Sequence, residues 1–413
     1  MTSPPVDEGE GSPFALLRPH WRLVLAAFLG WFLDAFDQVA LLLVLPEIGA
    51  HFGVSLTAMG LVITAQSLGR AIGNTSWGWL ADRYGRKLAF MVGVIWFAAF
   101  SGLTALAWSY SALLVIQLLF GIGFGGEWTA SAALLMESVP ARSRQVASSL
   151  MMAGYEVGFF AAAGTQAILL PLFGWRALFV VGIAPALLAI FIRTGVAESP
   201  VWLRMQQDRT ATPRATPRPC LRMDHAAWQA CALMIALQFQ TASVYSFYPT
   251  ILKTVYGYGA AGVFAGIAAY SIGSVTGKLL CGRIATRIGD RWTMLGCLCV
   301  TMLGIVPFVS AAATPVLLGS AALVGASSSG VFALVPHYLS LRFPNPVRSF
   351  GMGLAYALAA GGHGLATYVI PATGGGLGLQ HAVELFVVAS SLTVAAIALR
   401  EPRVLPGLDM DEP

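Results

Sequence analysis

Long apolar segments that recur along the chain constrain its fold more than any other feature. Twelve such segments of about 18–25 residues can be placed, each long enough to cross about 30 Å of hydrocarbon. They lie at 22–45, 57–80, 88–107, 111–136, 145–170, 175–194, 226–250, 260–281, 292–311, 314–339, 349–371 and 379–399. Lipid offers no partner for a free backbone N–H or C=O group, so such segments must be helices. The sequence therefore predicts an all-α membrane protein with twelve transmembrane helices.

The composition excludes soluble classes of protein. Only 10% of the 413 residues are charged, whereas 57% are hydrophobic. A soluble domain of ordinary composition is about a quarter charged, so a soluble multidomain enzyme is excluded. The sequence contains no GxxxxGK[ST] phosphate-binding loop, which argues against ATP as the energy source. We expect no cofactor and no metal.

The distribution of positive charge predicts the topology. If the N-terminus is cytoplasmic, 20 of the 24 Lys and Arg residues fall in cytoplasmic tails and loops. Arg176 and Lys253 lie outside, and Arg70 and Lys278 lie within segments. This bias is typical of proteins in the bacterial inner (plasma) membrane. We therefore expect a multi-pass protein with both termini cytoplasmic, surrounded by lipid and without a nucleic-acid partner.

An internal repeat divides the chain into two parts. "GWLADRYGRK" at 78–87 precedes "GRIATRIGDR" at 282–291 by 204 residues, and "VPARSR" at 139–144 precedes "FPNPVR" at 343–348 by the same number. Two landmarks at one offset indicate two homologous, pseudo-symmetric six-helix halves. The predicted units are a cytoplasmic tail (1–21), the first half (22–194), a cytoplasmic linker (195–225), the second half (226–400) and a cytoplasmic tail (401–413).

The loop at 78–87 is similar to the cytoplasmic loop motif of the major facilitator superfamily, and the resemblance covers nearly the whole chain. It implies two halves that rock around a midplane site. In the family this loop helps to hold the outward-open state, a role implied here for Asp82, Arg83 and Arg86. Gly78 and Gly85 permit a tight turn and close helix approach.

Two interpretations of this loop stay open from the residues themselves. Asp82 can cap a helix start and pair with Arg83 or Arg86, which would make a latch. Alternatively, the loop is basic only because topology requires it. In the second copy Thr286 replaces the acid and Asp290 replaces the second Arg, so any latch there should be weaker.

A narrower resemblance comes from "GWFLDAFDQVALLLVLPEI", "GIGFGGEWTASAALLMESVP" and "FGWRALFVVGIAPALLAIFIR". These runs resemble bacterial carboxylate:proton symporters, the branch of sialate- and lactate-type permeases, with aromatic-acid symporters nearby. The resemblance implies a small organic anion as the substrate. Gln117 stands where the superfamily often has Arg, and Phe159 stands where drug:proton antiporters usually have Pro. The second departure argues against a drug exporter.

Acidic residues at membrane depth are the candidates for proton coupling. A charge there costs roughly 2.5–3.5 kcal/mol on insertion scales, so its presence requires a reason. Asp34 and Asp37 lie on one helix face, and two like charges so close cannot both ionise cheaply, so one should hold a proton. We favour Asp37 as the carrier and Glu156 as a second candidate. Alternatively, the Asp pair is structural and Glu156 pairs with Lys278 or an Arg.

Arg70 is the predicted ligand of the substrate. It lies eight residues before Gly78, about 12 Å along the helix at 1.5 Å per residue. Its planar fork matches a carboxylate in a bidentate manner. The alternative is a permanent salt bridge from Arg70 to Asp34 or Glu127.

Other polar and aromatic residues could line the same cavity, although each could instead be a packing residue. The predicted lining residues are Glu127, Trp128, Gln238, Gln240, Tyr245, Tyr248 and His363. Glu137 is expected at the membrane interface, near Arg142 and Arg144. No role is assigned to His337.

Together these features predict a secondary active transporter, functional as a monomer, that imports a small organic anion, a monocarboxylate, by proton symport through alternating access. Three other functions remain: a drug or metabolite:proton antiporter, an uncoupled uniporter, and a transporter-like sensor. No nucleophile or metal cluster is evident in the sequence, so we do not expect an enzyme.

Overall fold

The computed structural model describes residues 12–211, 223–310 and 313–400. All regular structure in these ranges is helical, as the sequence predicts. The helices of 20 or more residues are α1 (Trp21–Leu43), α2 (Leu56–Tyr84), α3 (Arg86–Ala105), α4 (Tyr110–Ser138), α5 (Arg144–Phe173), α6 (His225–Tyr245), α7 (Ala260–Ser310), α8 (Arg348–Leu377) and α9 (Leu379–Leu399). Residues 1–11 and 401–413 of the predicted tails, and 212–222 of the predicted linker, lie outside the described residues.

Shorter helices connect or extend the long ones. They are Pro13–Leu16, Leu45–Phe52, Arg176–Val181, Pro185–Gly195, Pro200–Ala211, Tyr248–Thr254, Thr314–Val324 and Val335–Ser340. The helix Pro200–Ala211 lies in the polar stretch that the sequence predicts to be a linker. Part of this linker is therefore an ordered helix.

Eight helical stretches in the described ranges are long and apolar enough to cross a membrane. They are Pro13–Leu43, Arg86–Ala105, Tyr110–Ser138, Ala141–Phe173, His225–Thr254, Ala261–Ser310, Thr314–Ser340 and Leu379–Leu399. Large apolar side chains remain exposed on their outer faces, for example Leu303 at 79% and Leu172 at 69%. An apolar surface of this extent is typical of a protein that faces lipid.

Polar side chains cap the starts of three long helices. Ser55, Ser109 and Asp224 accept hydrogen bonds from the backbone N–H groups three residues ahead, at 3.2, 3.1 and 2.9 Å. Each cap satisfies one of the N–H groups that a helix start leaves without a partner. These residues therefore fix where α2, α4 and α6 begin.

Some predicted segments are joined or interrupted. The segments 260–281 and 292–311 both lie in α7, which changes direction at Gly289, where φ is 82°. Such a φ favours glycine, and it lets the chain turn without a separate loop. The segment 226–250 is broken after Tyr245 and continues as Tyr248–Thr254, with Pro249 in its first turn.

The segment 314–339 changes helix type along its length. It passes through a π-helical stretch, Gly325–Ser329, into a 3-10 helix, Gly330–Leu334. The segment 175–194 is likewise divided, because Arg176–Val181 and Pro185–Gly195 are separate helices. Apolar composition predicts such segments well, but it does not predict where a helix changes its hydrogen-bonding pattern.

The 204-residue repeat recurs in the backbone geometry. Gly85 and Gly289 both have positive φ, 118° and 82°. The 3-10 turn Ala141–Ser143 precedes α5, and the 3-10 turn Asn345–Val347 precedes α8. Each of these pairs is separated by 204 residues, so the repeat extends from side chains to local backbone structure.

Glycines allow α2 and α4 to pack closely. A methyl group added at Gly125 of α4 would lie 2.5 Å from the backbone nitrogen of Asn74 and 2.9 Å from the carbonyl carbon of Gly73. Real side chains do not tolerate such contacts with backbone. This close approach places Arg70 of α2 beside α4, where it can take part in the candidate site.

Candidate functional site

Two buried acids, Asp34 of α1 and Glu127 of α4, face each other. Both are 0% exposed, and their carboxyl groups lie within hydrogen-bonding range of one another. No other donor bonds them within the described ranges, and the nearby Ser131 hydroxyl donates instead to the Trp128 carbonyl at 3.1 Å. Two carboxyl groups can bond each other only through a shared proton. The pair is therefore suited to hold one.

Asp37, the neighbour of Asp34 on α1, has a different environment. Its Oδ1 accepts a hydrogen bond from Ser101 of α3 at 3.0 Å, while its Oδ2 has no partner in the described part of the chain. The carboxyl that Asp34 faces most closely is thus Glu127 rather than Asp37. The sequence places the two aspartates on one helix face, but their side chains contact different helices.

Arg70 of α2 lies beside the acid pair without an ion-pair partner. Its guanidinium lies 4.4 Å from the centre of the Phe124 ring, 5.6 Å from that of Tyr356 and 6.0 Å from that of Trp31. No carboxylate within the described residues is at ion-pair distance, although Asp34 is close enough to feel its charge. The alternative of a permanent salt bridge to Asp34 or Glu127 is therefore not what the structure has.

Trp31, which lies beside Arg70, is the centre of four aromatic side chains that we call the aromatic box: Trp31, Trp128, Tyr155 and Tyr356. Trp31 contacts each of the others, with ring centroids 6.2, 5.3 and 6.4 Å apart. The rings of Trp128 and Tyr356 lie 4.2 Å apart at an angle of 35°. The sequence predicts only Trp128 of this group.

Two of the three aromatic residues that were not identified from the sequence lie next to residues that were. Trp31 lies one turn before Asp34, and Tyr155 directly precedes Glu156. Proximity to an intramembrane acid could have indicated these two. Tyr356 has no such neighbour, and we find no signal in the sequence that would have indicated it.

Glu156 of α5 is paired across to α7. Its Oε1 accepts hydrogen bonds from Lys278 at 3.0 Å, Ser274 at 2.8 Å and Ser329 at 3.3 Å. Of the partners that the sequence allows for this acid, the structure has Lys278. The pair links two helices that lie 122 residues apart in the chain.

The other predicted lining residues lie around the box rather than in it. Tyr245 borders a cavity of 150 Å³, which is also lined by Phe159, Tyr248 and Tyr270. The ring of Tyr248 stacks on that of Phe308 of α7, with centroids 4.0 Å apart. Neither Asp34 nor Glu127 lines this cavity.

Three further predicted residues are polar: Gln238 and Gln240 lie on α6, and His363 lies on α8. Gln240 is fully buried, and its Nε2 has no partner in the described ranges. Gln238 is half-buried. His363 is exposed on α8 and is close enough to Arg70 to feel its charge.

The loop between α2 and α3 is bound to α8. Asp82 accepts hydrogen bonds from the backbone N–H groups of Ser349 at 3.1 Å and Phe350 at 2.8 Å, so it caps the start of α8. It also pairs with Arg86 at 3.0 Å. Gly78 packs on the same place, since a methyl group there would lie 2.5 Å from the Ser349 carbonyl oxygen. This contact has the form of a latch.

Glu137, one residue from the end of α4, is the centre of the same network. Its side chain is fully buried, where it binds Arg86 at 3.2 and 3.3 Å and Arg348 at 3.0 Å. The hydroxyl of Ser199 donates to it at 2.5 Å. Two guanidinium groups on one carboxylate explain why the charge is tolerated.

Arg83 takes no part in this ion-pair network. It is exposed, and its guanidinium lies over the rings of Trp79 and Tyr84 at 5.3 and 5.5 Å. The linker contributes instead, because Glu198 caps the start of α3, where Gly85 has φ of 118°. Of the two predicted partners of Asp82, the structure has Arg86.

The second copy of the loop also has a contact. Asp290 pairs with His337 at 2.5 Å, although the sequence analysis gives His337 no role. Both residues belong to the second repeat, which lacks the second Arg. A single acid–imidazole pair, charged only when His337 is protonated, replaces the larger network of the first copy.

Comparison with protein families gives one match that spans most of the chain. The family described as Major Facilitator Superfamily matches residues 27–268 and 260–408. A probable 4-methylmuconolactone transporter of Cupriavidus pinatubonensis is 32% identical over 338 residues, which cover 80% of this chain and 78% of that protein. The sialic acid transporter NanX of Escherichia coli is 26% identical over 384 residues, covering 92% and 93%.

Other similar proteins include both a carrier of aromatic acids and solved structures. The 4-hydroxybenzoate transporter PcaK of Pseudomonas putida is 33% identical over 205 residues, 49% of this chain and 46% of that one. The structure of the proton:xylose symporter XylE has a TM-score of 0.75 at 18% identity, covering 92% and 94% of the two chains. The human organic anion transporter MFSD10 has a TM-score of 0.75 at 16% identity, covering 92% and 99%.

Proposed function

We propose that this chain, which belongs to the major facilitator superfamily and is a membrane transporter rather than an enzyme, imports a small organic anion with protons. The names of its relatives support this substrate class, since they include carriers of methylmuconolactone, sialic acid and 4-hydroxybenzoate. The substrate is a monocarboxylate, and one chain contains the whole pathway.

The proposed architecture has twelve membrane helices in two six-helix halves. The 50-residue stretch Ala261–Ser310, which turns at Gly289, is long enough for two crossings. The helices Leu56–Tyr84 and Arg348–Leu377, with 29 and 30 residues, exceed the length that a bilayer requires. These helices account for four crossings. The divided segment 175–194 adds one, and the seven other membrane-length stretches add seven, which gives twelve. The 204-residue repeat supports two equivalent halves, 22–194 and 226–400, joined by a linker at 195–225.

The proposed topology puts the latch in the cytoplasm of a bacterial cell, beneath the inner membrane. Both termini would lie on that side, because 20 of the 24 Lys and Arg residues then do so. The latch joins the two halves through Asp82 and the start of α8. A chain closed at this end is in an outward-facing state, and release of the latch would open the inward-facing state.

The observation that carries the proposal is that, among the described residues, Arg70 has no acid partner and the two adjacent acids have no hydrogen-bond donor. Arg70 offers a charged, planar fork, and carboxylates are its natural partners. Asp34 and Glu127 offer a place for one proton. A carboxylate on Arg70 and a proton on the acid pair would enter together, because each offsets the charge that the other brings.

The proton is therefore assigned to Asp34 and Glu127 rather than to Asp37, the residue favoured from sequence. Asp37 accepts a hydrogen bond from Ser101, whereas no residue that the structure describes donates to either carboxyl of the pair. Glu156 is held by Lys278 across two helices, so its role in this proposal is to join the halves and to separate as they move.

The experiment uses purified protein in liposomes with a pH-sensitive dye inside. Lactate, pyruvate, benzoate and sialic acid are added in turn, with protein-free liposomes as the control for leak of protonated acid. At least one acid should acidify the lumen above that control. Arg70→Ala should abolish the signal, and Arg70→Lys, which keeps the charge but loses the fork, should retain only part of it.

The proton site is tested by separating substrate exchange from proton movement. Glu127→Gln should keep exchange of labelled substrate between the two sides but lose acidification. Asp37→Asn is the matched control, because it also changes one buried carboxyl to an amide, on α1 rather than on α4. If Asp37→Asn uncouples transport and Glu127→Gln does not, the assignment is wrong. If no acid acidifies the lumen above the control, the substrate class is wrong.

A further inference from the structure

Two indole N–H groups in the aromatic box have no acceptor. Nε1 of Trp31 and Nε1 of Trp128 are sealed from solvent and make no hydrogen bond within the described part of the chain. Their rings adjoin, with centroids 6.2 Å apart. A buried donor without a partner costs free energy, and such groups are rare in folded proteins. Two such donors lie side by side, one of them beside Arg70, and they indicate an acceptor that the substrate brings.

We propose that the indole N–H groups of Trp31 and Trp128 select substrates that carry a second oxygen acceptor, remote from the carboxylate, on a flat skeleton. A hydroxyl, ketone or lactone oxygen has this chemistry. The inference rests on the proposed function, because it takes Arg70 to bind the substrate carboxylate.

The order of the groups in the box determines where the acceptor lies. Arg70 is next to Trp31 and Tyr356, at 6.0 and 5.6 Å. Trp128 is reached from Arg70 through Tyr356, to which its ring is close. A molecule whose carboxylate is bound by Arg70 and whose skeleton lies across Tyr356 therefore reaches Trp128 with its far end.

The shape of the box favours a flat skeleton. Trp31, Trp128 and Tyr356 are only 2%, 1% and 6% exposed, so a substrate must separate rings that now touch. A flat molecule can insert between two rings and replace their mutual contact with contacts between each ring and one of its own two faces. A polyhydroxylated, globular acid would bring several donors and acceptors, and the apolar ring faces could satisfy few of them.

The test compares two acids of nearly equal shape, 4-acetylbenzoate and 4-isopropylbenzoate. Only the first has an acceptor at the far end. The wild-type protein in liposomes should transport 4-acetylbenzoate with a KM about tenfold lower, which corresponds to about 1.4 kcal/mol. Trp31→Phe and Trp128→Phe remove an N–H group while keeping an aromatic ring, so each should reduce this ratio, and the double variant should bring it close to one.

Trp77→Phe is the matched control. The Nε1 of Trp77 is also buried and makes no hydrogen bond to the residues that the structure describes, but its ring contacts Trp96 rather than the box. This variant should leave the ratio unchanged. Thermal stabilisation of the detergent-solubilised variants by each acid gives a second readout, which does not depend on transport.

Three outcomes would overturn the inference. The wild-type protein could transport both acids equally, or the two box variants could lower uptake of both acids by one factor, as expected if the indoles serve Asp34 and Glu127 instead. Trp77→Phe could also reduce the ratio as much as the box variants do. In each case uptake that still depends on Arg70 leaves the proposed function intact. If neither these acids nor the four tested above are taken up, the proposed function fails and this inference fails with it.

Discussion

Replacement of Arg86 or Arg83, three residues apart in one loop, tests the latch most sharply. Arg86 is fully buried and bonds Glu137 at 3.2 and 3.3 Å, Asp82 at 3.0 Å and the carbonyl oxygen of Asn345 at 3.1 Å. Arg83 is exposed and lies over aromatic rings. The resemblance to the superfamily motif implies a role for both, whereas the geometry separates them.

The expected magnitudes differ by several kcal/mol. Removing one partner of a buried ion pair costs about 3–5 kcal/mol, because the other charge is left uncompensated. Arg86→Ala should therefore lower the free energy of unfolding by about that amount. Arg83→Ala should change it by no more than about 0.5 kcal/mol. The bond to Asn345 joins the two repeats, and a charged hydrogen bond contributes about 1.5 kcal/mol. Its loss should raise the population of the open state about tenfold.

Two measurements check these values. Thermal unfolding in detergent reports stability, and maleimide labelling of Ser349→Cys, in a chain whose five native cysteines are replaced, reports opening. Ser349 is fully buried at the latch, so the new cysteine should react only when the latch opens. Arg86→Ala should unfold earlier and label about tenfold faster than the parent chain. Equal effects from Arg83→Ala would refute the reasoning.

Two further predictions concern the acid pair and the link between helices. A methyl group in Gly30→Ala would lie 2.7 Å from Cδ of Glu127, so the Glu127 side chain must move away. Acidification of the liposome lumen should therefore fall at least tenfold. Gly60 has open space around it, so Gly60→Ala should keep normal acidification. Lys278→Met leaves Glu156 buried without its cation and should cost about 3–5 kcal/mol in thermal unfolding. Adding Glu156→Gln should recover most of that loss, and a double variant no more stable than the single one would contradict the pairing.

The internal repeat could be predicted from the sequence in detail because backbone geometry constrains residue type. Gly85 and Gly289 both require positive φ, which other residues adopt at a cost. The turns before α5 and α8 keep a proline and an arginine at equivalent positions. Local requirements of this kind remain visible in a single sequence. The all-helical fold follows in the same way, because long apolar segments have no other stable form in lipid.

The network around Glu137 could not be predicted because its partners are distant in the chain. Arg86 lies 51 residues away and Arg348 lies 211 residues away. Position near a helix end indicates an interfacial acid, whereas the partners that surround it lie on α3, on α8 and in the linker. A charge near the end of an apolar segment therefore has no fixed environment until the helices are assembled.

The aromatic box illustrates the same limit for uncharged residues. The chain has 11 Trp, 11 Tyr and 23 Phe residues, and most of them lie in apolar segments where an aromatic ring needs no special reason. Asp34 and Glu127 stand out because charge is costly in lipid, but Tyr356 does not. Intramembrane charge thus identifies the centre of a site from sequence, whereas its walls follow from tertiary contacts.

The latch and the candidate site differ in how their polar atoms are satisfied, and this difference is itself an argument about function. Both oxygens of Glu137 and both oxygens of Asp82 have partners, as a group that holds one conformation requires. The candidate site is different. Among the described residues, no hydrogen-bond partner is present for the carboxyl oxygens of Asp34 and Glu127, apart from the proton that the two acids can share. The indole nitrogens of Trp31 and Trp128 also have no partner there. Each unpaired buried group costs roughly 1–3 kcal/mol. In the proposed function, the substrate and the proton are the two species that would reduce this cost.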